Sequence, residues 1–210
     1  MDTTWQTLQN WIAGQNGWEW LAMALAIAYL WLIIKERIEA WYCAFLSTAI
    51  YTAIFWQVSL LMESLLNIYY MAMAIYGWWQ WRHGGQDEQG VAVHTWPWQR
   101  HLAWLLLIAA VTTISGWWLS NNTEAARPYV DSFTTWAAVF TTYLVAQKVL
   151  ANWLYWIVIN SVSVWLYLDR DLYPTSILFI WYIGMSVVGY YRWRSVLAQQ
   201  NQYKTPMEAA

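Results

Sequence analysis

Seven long apolar segments constrain this chain more than any other feature of its sequence. A helix needs about 20 mostly apolar residues to cross the hydrocarbon core of a bilayer, and each of the seven segments meets that requirement. Only 10% of the residues are charged, against about 25% in an ordinary soluble domain. We therefore predict an all-α integral membrane protein. The predicted transmembrane spans are residues 18–35, 40–57, 62–82, 99–119, 129–147, 152–169 and 174–193.

The same composition argues against several functional classes. A net charge of -2 provides no basic surface for nucleic acid, and the single cysteine, Cys43, cannot form a cysteine metal cluster. The spacing of His83, His94 and His101 matches no recognised metal-binding pattern. There is no glycine loop for ATP, and the last span has no Lys for a retinal Schiff base. We predict no metal, no cofactor, no nucleic-acid partner and no enzyme activity.

The basic residues are unevenly divided between the two sides of the predicted spans. Two of the ten Lys and Arg residues, Arg127 and Arg170, fall on the side of the N-terminus, and the others fall on the opposite side. Cytoplasmic loops carry the excess of Lys and Arg. The sequence therefore predicts an external N-terminus and a cytoplasmic C-terminus.

An internal repeat appears when the sequence is shifted against itself by 112 positions. Residues 68–82 then align with residues 180–194, with six of fifteen positions identical. The same shift pairs Trp41 with Trp153 and Glu19 with Asp131, the latter two expected to stabilise helix ends. The identical pairs are Ile68 and Ile180, Tyr70 and Tyr182, Met73 and Met185, Gly77 and Gly189, Trp81 and Trp193, and Arg82 and Arg194.

Two copies of a three-span unit point the same way only if an odd number of spans separates them. The fourth span is that separator, so the sequence predicts a 3+1+3 arrangement with two parallel repeats and a close helix approach at Gly77 and Gly189. Parallel repeats are typical of transporters with a site near mid-membrane. The predicted segments are an external N-terminal part (1–17), the first repeat (18–82), a flexible polar cytoplasmic loop (83–98), the linker helix (99–119), an external loop (120–128), the second repeat (129–194) and a cytoplasmic tail (195–210).

Polar and aromatic groups inside the sixth span indicate a substrate site. Trp153, Trp156 and Asn160 stand at i, i+3 and i+7, on one face of a helix. Polar groups inside a bilayer are costly and mark functional positions. Helix packing through Asn160 is the competing interpretation.

The third span carries a second such face, made by Glu63, Asn67 and Tyr70 at i, i+4 and i+7. Opposite the Trp pair, this face would complete a box for a flat cationic ring. Simple solvation of Glu63 and helix packing through Asn67 are the alternatives. The Thr residues of the fifth span are expected to bond backbone carbonyls, with one facing the cavity as an alternative.

Over residues 18–194 the sequence resembles the PnuC family of bacterial vitamin transporters. The resemblance rests on the aromatic run at residues 76–81, the segment at 128–131, Lys148, the pattern Asn152-Trp153-x-x-Trp156-x-x-x-Asn160, and the ending from Gly189 to Arg194. It implies a seven-span inner-membrane facilitator related in architecture to SWEET sugar transporters.

Members of the family carry nicotinamide riboside or, in the branch called PnuT, thiamine. The resemblance implies energy-independent diffusion with cytoplasmic phosphorylation trapping the vitamin, and the family includes trimers. Its substrate positions map onto Trp153, Trp156 and Asn160, and less closely onto Glu63 and Asn67. A Glu where nicotinamide riboside carriers tend to have Gln favours thiamine, because a carboxyl can pair with the aminopyrimidine. Nicotinamide riboside transport and a membrane scaffold or sensor without transport are the alternatives.

Overall fold

The described part of the chain is helical almost throughout. The computed structural model describes residues 17–57, 59, 61–85, 89–123, 127–169 and 172–208. Within these ranges the chain forms seven α-helices and no β-strand beyond one isolated bridge. The helices are α1 (Gly17–Ile34), α2 (Glu39–Gln57), α3 (Leu61–His83), α4 (Trp98–Asn122), α5 (Pro128–Ala146), α6 (Asn152–Asp169) and α7 (Tyr173–Glu208).

The first residues of the helices agree closely with the first residues of the predicted spans. Each helix begins within one residue of its predicted span, whereas α4 and α7 end later, at Asn122 and Glu208. The late ends arise because apolarity locates the bilayer, while a helix continues into water as long as its residues favour it. The predicted N-terminal segment lies outside the described residues, apart from Gly17.

Hydropathy averaging alone identifies only α1 and α4 among the described helices as long and apolar enough to cross a membrane. The other five are rich in Trp and Tyr, which hydropathy scales treat as nearly neutral although both suit the membrane interface. Large apolar side chains are nevertheless exposed along the helices, including Trp31, Leu106 and Ile177. Apolar exposure on this scale fits lipid rather than water.

The chain divides into two compact units, residues 1–79 and 80–210, so the division falls in the last turn of α3. In the first unit α1 packs against α2, and the Ser47 hydroxyl donates to the Ala22 carbonyl at 2.8 Å. The Ser64 hydroxyl of α3 donates to the Thr52 carbonyl of α2 at 3.0 Å. Short polar side chains thus join the helices of this unit.

In the second unit α5 packs against both α4 and α6, and α6 packs against α7. Gly116 of α4 lies against the ring of Tyr129. The Trp136 indole N–H donates to the Ser115 hydroxyl at 3.0 Å. These contacts attach the linker helix α4 to the helix that follows it.

The turn between the first two helices of each repeat has the same hydrogen bonds. In the first repeat the Glu36 N–H donates to the Ile33 carbonyl at 3.0 Å and the Arg37 N–H donates to the Leu32 carbonyl at 2.9 Å. This is a Schellman motif with a left-handed residue after the helix end, and Glu36 has φ of 55°. The bonds 112 residues later are Lys148 to Val145 and Val149 to Leu144, both 3.0 Å, and Lys148 has φ of 52°.

A second shared feature is a tryptophan packed on a glycine. The Trp41 indole covers Gly77, and the Trp153 indole covers Gly189, so that a Cβ on either glycine would overlap the ring. The close contact at both glycines is therefore with an indole ring, and the close approach of the helices themselves stays a prediction. The same pair in both units gives the internal repeat a physical basis, since one contact fixes the third helix of each repeat against the second.

The loop between α3 and α4 corrects one prediction. The sequence predicts a flexible connection, but the His94 N–H donates to the Lys148 carbonyl at 3.2 Å and the Leu150 N–H donates to the His94 carbonyl at 2.9 Å. Val93 beside this bridge is only 2% exposed. The prediction is wrong for this part of the loop because a buried valine and paired backbone fix it to the α5–α6 turn. Residues 86–88, including Asp87 and Glu88, lie outside the described residues.

Candidate substrate site

Trp153 lies near the start of α6 with its ring fully packed. The side chain is 1% exposed, its face covers Gly189, and its ring meets Trp193 edge to face at 5.3 Å between centroids. The indole Nε1 has no hydrogen-bond partner among the described residues. A buried donor without a partner is unusual, so this N–H has unused hydrogen-bonding capacity although protein atoms enclose it.

Trp156 and Asn160 follow on α6, one helical turn apart. Trp156 is partly buried and packs against the apolar cluster of Ile108, Ala137 and Ile159. Asn160 is 5% exposed and lies near the middle of α6. An amide both donates and accepts hydrogen bonds. This part of α6 therefore combines a partly open aromatic ring with a neutral polar group.

The structure distinguishes Thr141 from the other Thr residues of α5, which the sequence treated alike as groups that bond backbone carbonyls, with one of them facing the cavity as an alternative. Thr134 and Thr142 donate to carbonyls of their own helix at 3.2 and 2.8 Å, as predicted. Thr141 is 0% exposed, and its hydroxyl finds no partner among the described residues. The sequence contained only a weak signal for this difference, because adjacent Thr residues point to different helix faces.

The predicted face of α3 lies in the first unit. Glu63 is exposed in the first turn of α3, and the Asn67 amide donates to the Glu63 backbone carbonyl at 2.9 Å. Tyr70 is partly buried and its ring lies 5.5 Å from that of Tyr69. The carboxyl of Glu63 is thus open to its surroundings, and the Asn67 amide already has a partner within its own helix.

Neighbouring groups position the start and the end of α6. The Arg127 guanidinium bonds Asp169 through two N–H donors at 2.9 and 3.0 Å and lies over the Trp165 ring at 5.3 Å. Lys148, just before α6, lies over the Trp81 ring at 4.4 Å. Glu19 and Asp131 both fall in the first turn of a helix, where a carboxylate is favourable.

The chemistry of this site is binding rather than catalysis. The groups on α5 and α6 are an indole ring, an indole N–H, an amide and a hydroxyl, and none of them titrates near neutral pH. Among the described residues, no three His, Cys, Asp or Glu side chains come together to hold a metal ion. Such groups suit an uncharged or permanently cationic ligand.

Comparison with known proteins identifies the family. The model of the nicotinamide mononucleotide transporter family matches residues 16–195. The chain belongs to this transporter family. It is therefore a multi-pass membrane transporter of the inner membrane and not an enzyme.

Several relatives and one solved structure support this assignment. The chain is 25% identical over 198 residues to the nicotinamide riboside transporter PnuC of Escherichia coli, covering 80% of this chain and 82% of that protein. It is 24% identical over 200 residues to the Haemophilus influenzae protein of the same name, covering 92% and 87%. A crystal structure of the vitamin B3 transporter PnuC superposes with a TM-score of 0.70 at 19% identity, covering 92% of this chain and 87% of that one. This last similarity shows the fold.

Proposed function

We propose that this protein transports nicotinamide riboside across the inner membrane by facilitated diffusion. The observation that carries the proposal is the match between the neutral hydrogen-bonding groups on α5 and α6 and a ligand with a carboxamide and ribose hydroxyls. The matched proteins from Escherichia coli, Neisseria mucosa and Haemophilus influenzae are each named nicotinamide riboside transporter, which supports the same substrate.

Four residues of the second unit have proposed roles in substrate binding: Trp156, Asn160, Trp153 and Thr141. Trp156 stacks on the cationic pyridinium ring, a contact worth about 0.5–2 kcal/mol. The Asn160 amide pairs with a polar group of the vitamin, and the Trp153 N–H and Thr141 hydroxyl serve as further hydrogen-bonding groups. Asn67, Tyr70 and Glu63 of α3 are proposed contacts of lesser weight, because the Asn67 amide already has a local partner.

Thiamine is the second candidate, and Glu63 is the observation that favours it. The sequence-based preference for thiamine required the carboxyl of Glu63 to pair with an aminopyrimidine. Glu63 is exposed, and hydrogen bonds of an exposed group compete with water and contribute little. The relatives' names also favour nicotinamide riboside, so we rank thiamine second.

The proposed orientation of the termini and the proposed energy source of transport are based on the sequence and the family. We propose an external N-terminus, a cytoplasmic C-terminus, and alternating access of the substrate site without an ion gradient or ATP. Phosphorylation of the vitamin in the cytoplasm would then drive net uptake. Purified transporter in liposomes should equilibrate nicotinamide riboside without accumulating it.

Uptake into liposomes tests the substrate and the role of Trp156. Nicotinamide riboside should enter faster than thiamine, and Trp156→Leu should reduce entry at low substrate about tenfold, equivalent to about 1.4 kcal/mol. Trp117→Leu, at an exposed position on α4, is the matched control. Faster thiamine entry that Glu63→Gln abolishes would reverse the ranking. Entry of neither vitamin through folded protein would favour the scaffold or sensor.

A further inference from the structure

An apolar groove of about 400 Å³ lies between α4, α5 and α6 of the second unit. Leu105 of α4 and Leu154 and Val158 of α6 form its walls, and Ala137 of α5, which is 2% exposed, lies at its base. The groove is open along one side. The proposed substrate contacts on α3, α5 and α6 are not among its lining residues. It adjoins the proposed vitamin site, because Trp156 packs against Ile108, Ala137 and Ile159 of the lining.

The groove begins near one membrane surface and runs toward the bilayer interior. Its lining extends from His101 to Ile108 on α4 and from Ala151 to Ile159 on α6, which corresponds to about 10–12 Å along each helix. Both helices start beside the bridge between His94 and Val149. The groove therefore begins next to this bridge, at the N-terminal ends of both helices. Its length is about a third of the roughly 30 Å hydrocarbon core.

Groups in the first turn of α4, next to the lining residue His101, favour an anion. Arg100 is exposed and its guanidinium lies 5.8 Å over the Trp96 ring. No side chain caps the N-terminus of α4, where Pro97 occupies the capping position, so the first N–H groups face outward with the positive end of the helix dipole. The first turns of α4 and α6 contain no acidic residue. His101 and the Tyr155 hydroxyl are 3.1 Å apart beside this end.

We infer that this groove binds an anionic glycerophospholipid. One acyl chain lies in the groove, and the phosphate lies at the N-terminus of α4 beside Arg100. The lining carries no polar group deep in the groove that would satisfy the carboxamide or hydroxyls of a vitamin. A hydrocarbon chain is apolar along its whole length and therefore suits this lining. The positive end of α4 supplies a charge complementary to the phosphate.

Native mass spectrometry of the full-length transporter tests this inference, with phosphatidylglycerol and phosphatidylcholine as probes. The wild type should retain phosphatidylglycerol at least about fivefold more than phosphatidylcholine. Leu105→Trp, which fills the groove, should remove most of the bound phosphatidylglycerol. Leu106→Trp is the matched control, because Leu106 is exposed on α4 outside the groove. Arg100→Gln should remove the preference for phosphatidylglycerol, whereas Arg192→Gln on α7 should keep it.

Several outcomes would overturn the inference. Equal retention of phosphatidylglycerol by the Leu105 and Leu106 variants would show that the groove does not hold the lipid. Equal retention of both lipids by the wild type would show that the positive end does not select an anion. A change from oligomer to monomer in Leu105→Trp, with lipid retention unchanged, would assign the groove to a second copy of the chain. If Leu105→Trp does not fold, Val158→Phe on the opposite wall makes the same test.

Discussion

The two repeats share their packing and differ in their chemistry. Trp41 and Trp153 occupy equivalent positions and cover the equivalent Gly77 and Gly189. One turn further on, Trp156 of the second repeat corresponds to Ala44 of the first. The ring of the Trp kept in both repeats maintains a helix contact, whereas the main proposed substrate contacts, Trp156 and Asn160, are found in the second repeat only.

The turns between the first two helices of the two repeats likewise share one feature and differ in another. Both have a left-handed residue and the same Schellman bonds. The second is joined to the 89–97 loop through His94, whereas the first carries an exposed ion pair between Arg37 and Glu39 at 2.6 Å. Both repeats thus share the backbone conformation of the turn, whereas the groups that interact with the turn differ between the two repeats.

The largest predicted effects test the shared glycine contacts. Gly77→Ala and Gly189→Ala should each lower the free energy of unfolding by about 1–3 kcal/mol, because the added methyl group overlaps a packed indole. Thermal unfolding in detergent measures the change, at roughly 2–4 °C of Tm per kcal/mol.

Gly184→Ala is the control for these substitutions, since a Cβ at Gly184 meets nothing within 4 Å. It should leave the Tm unchanged or raise it slightly through the helix preference of Ala, worth up to about 1 kcal/mol. Loss of stability at only one of Gly77 and Gly189 would show that the two repeats are not packed alike.

A prediction of intermediate size concerns the covered turn of the second repeat. The Leu150 amide donates to the His94 carbonyl, whereas its counterpart Ile38 has no such partner among the described residues. Hydrogen exchange should therefore be slower at Leu150 than at Ile38. Val93→Asp places a charge at a buried position and should release the loop, so that exchange at Leu150 rises about tenfold or more.

Ile38 exchange provides the internal control for that experiment. It should be the same in the wild type and in the Val93 variant, since Val93 belongs to the second unit. Unchanged exchange at Leu150 in folded Val93→Asp would mean that the loop does not protect the turn.

The smallest predicted effect concerns the exposed turn of the first repeat. The hydrogen bond from Arg37 lowers the pKa of Glu39 to about 2, below the usual value of about 4.3. The contribution of Glu39 to stability is therefore complete above that usual value and is lost as the pH falls through about 2. Glu39→Gln should remove this acid-dependent component and change the Tm little at pH 7. An equally steep acid dependence in the variant would contradict this assignment, and 1 M salt should weaken the wild-type effect.

Much of the fold could be predicted from the sequence because lipid imposes simple requirements. A long apolar segment bounded by polar residues has few alternatives to a helix, and all seven helix starts agree with the prediction within one residue. The docking of the 89–97 loop could not be predicted, because it depends on one buried valine and two backbone bonds far apart in sequence. Spacing alone does not reveal such contacts.

The candidate site was harder to predict than the fold. The spacing correctly indicated which residues share a helix, but not what lies against each of them. The Trp153 face is covered by Gly189 rather than open, and the Thr141 hydroxyl lacks a local partner whereas its neighbour Thr142 has one. Both facts depend on the neighbouring helices. The assignment of substrate contacts from the sequence therefore stays a prediction.

The affinity of the purified transporter for nicotinamide riboside, compared between Asn160→Ala and Thr48→Ala, tests the central claim most directly. Thr48 is the counterpart of Asn160 in the first repeat, and its hydroxyl donates to its own helix at Ala44, 2.8 Å away. Asn160→Ala should weaken binding about fivefold to 150-fold in folded protein, since a buried polar interaction is worth about 1–3 kcal/mol, whereas Thr48→Ala should leave it unchanged. Unchanged affinity in Asn160→Ala with a lowered Tm would show that Asn160 only packs helices, and would contradict the account.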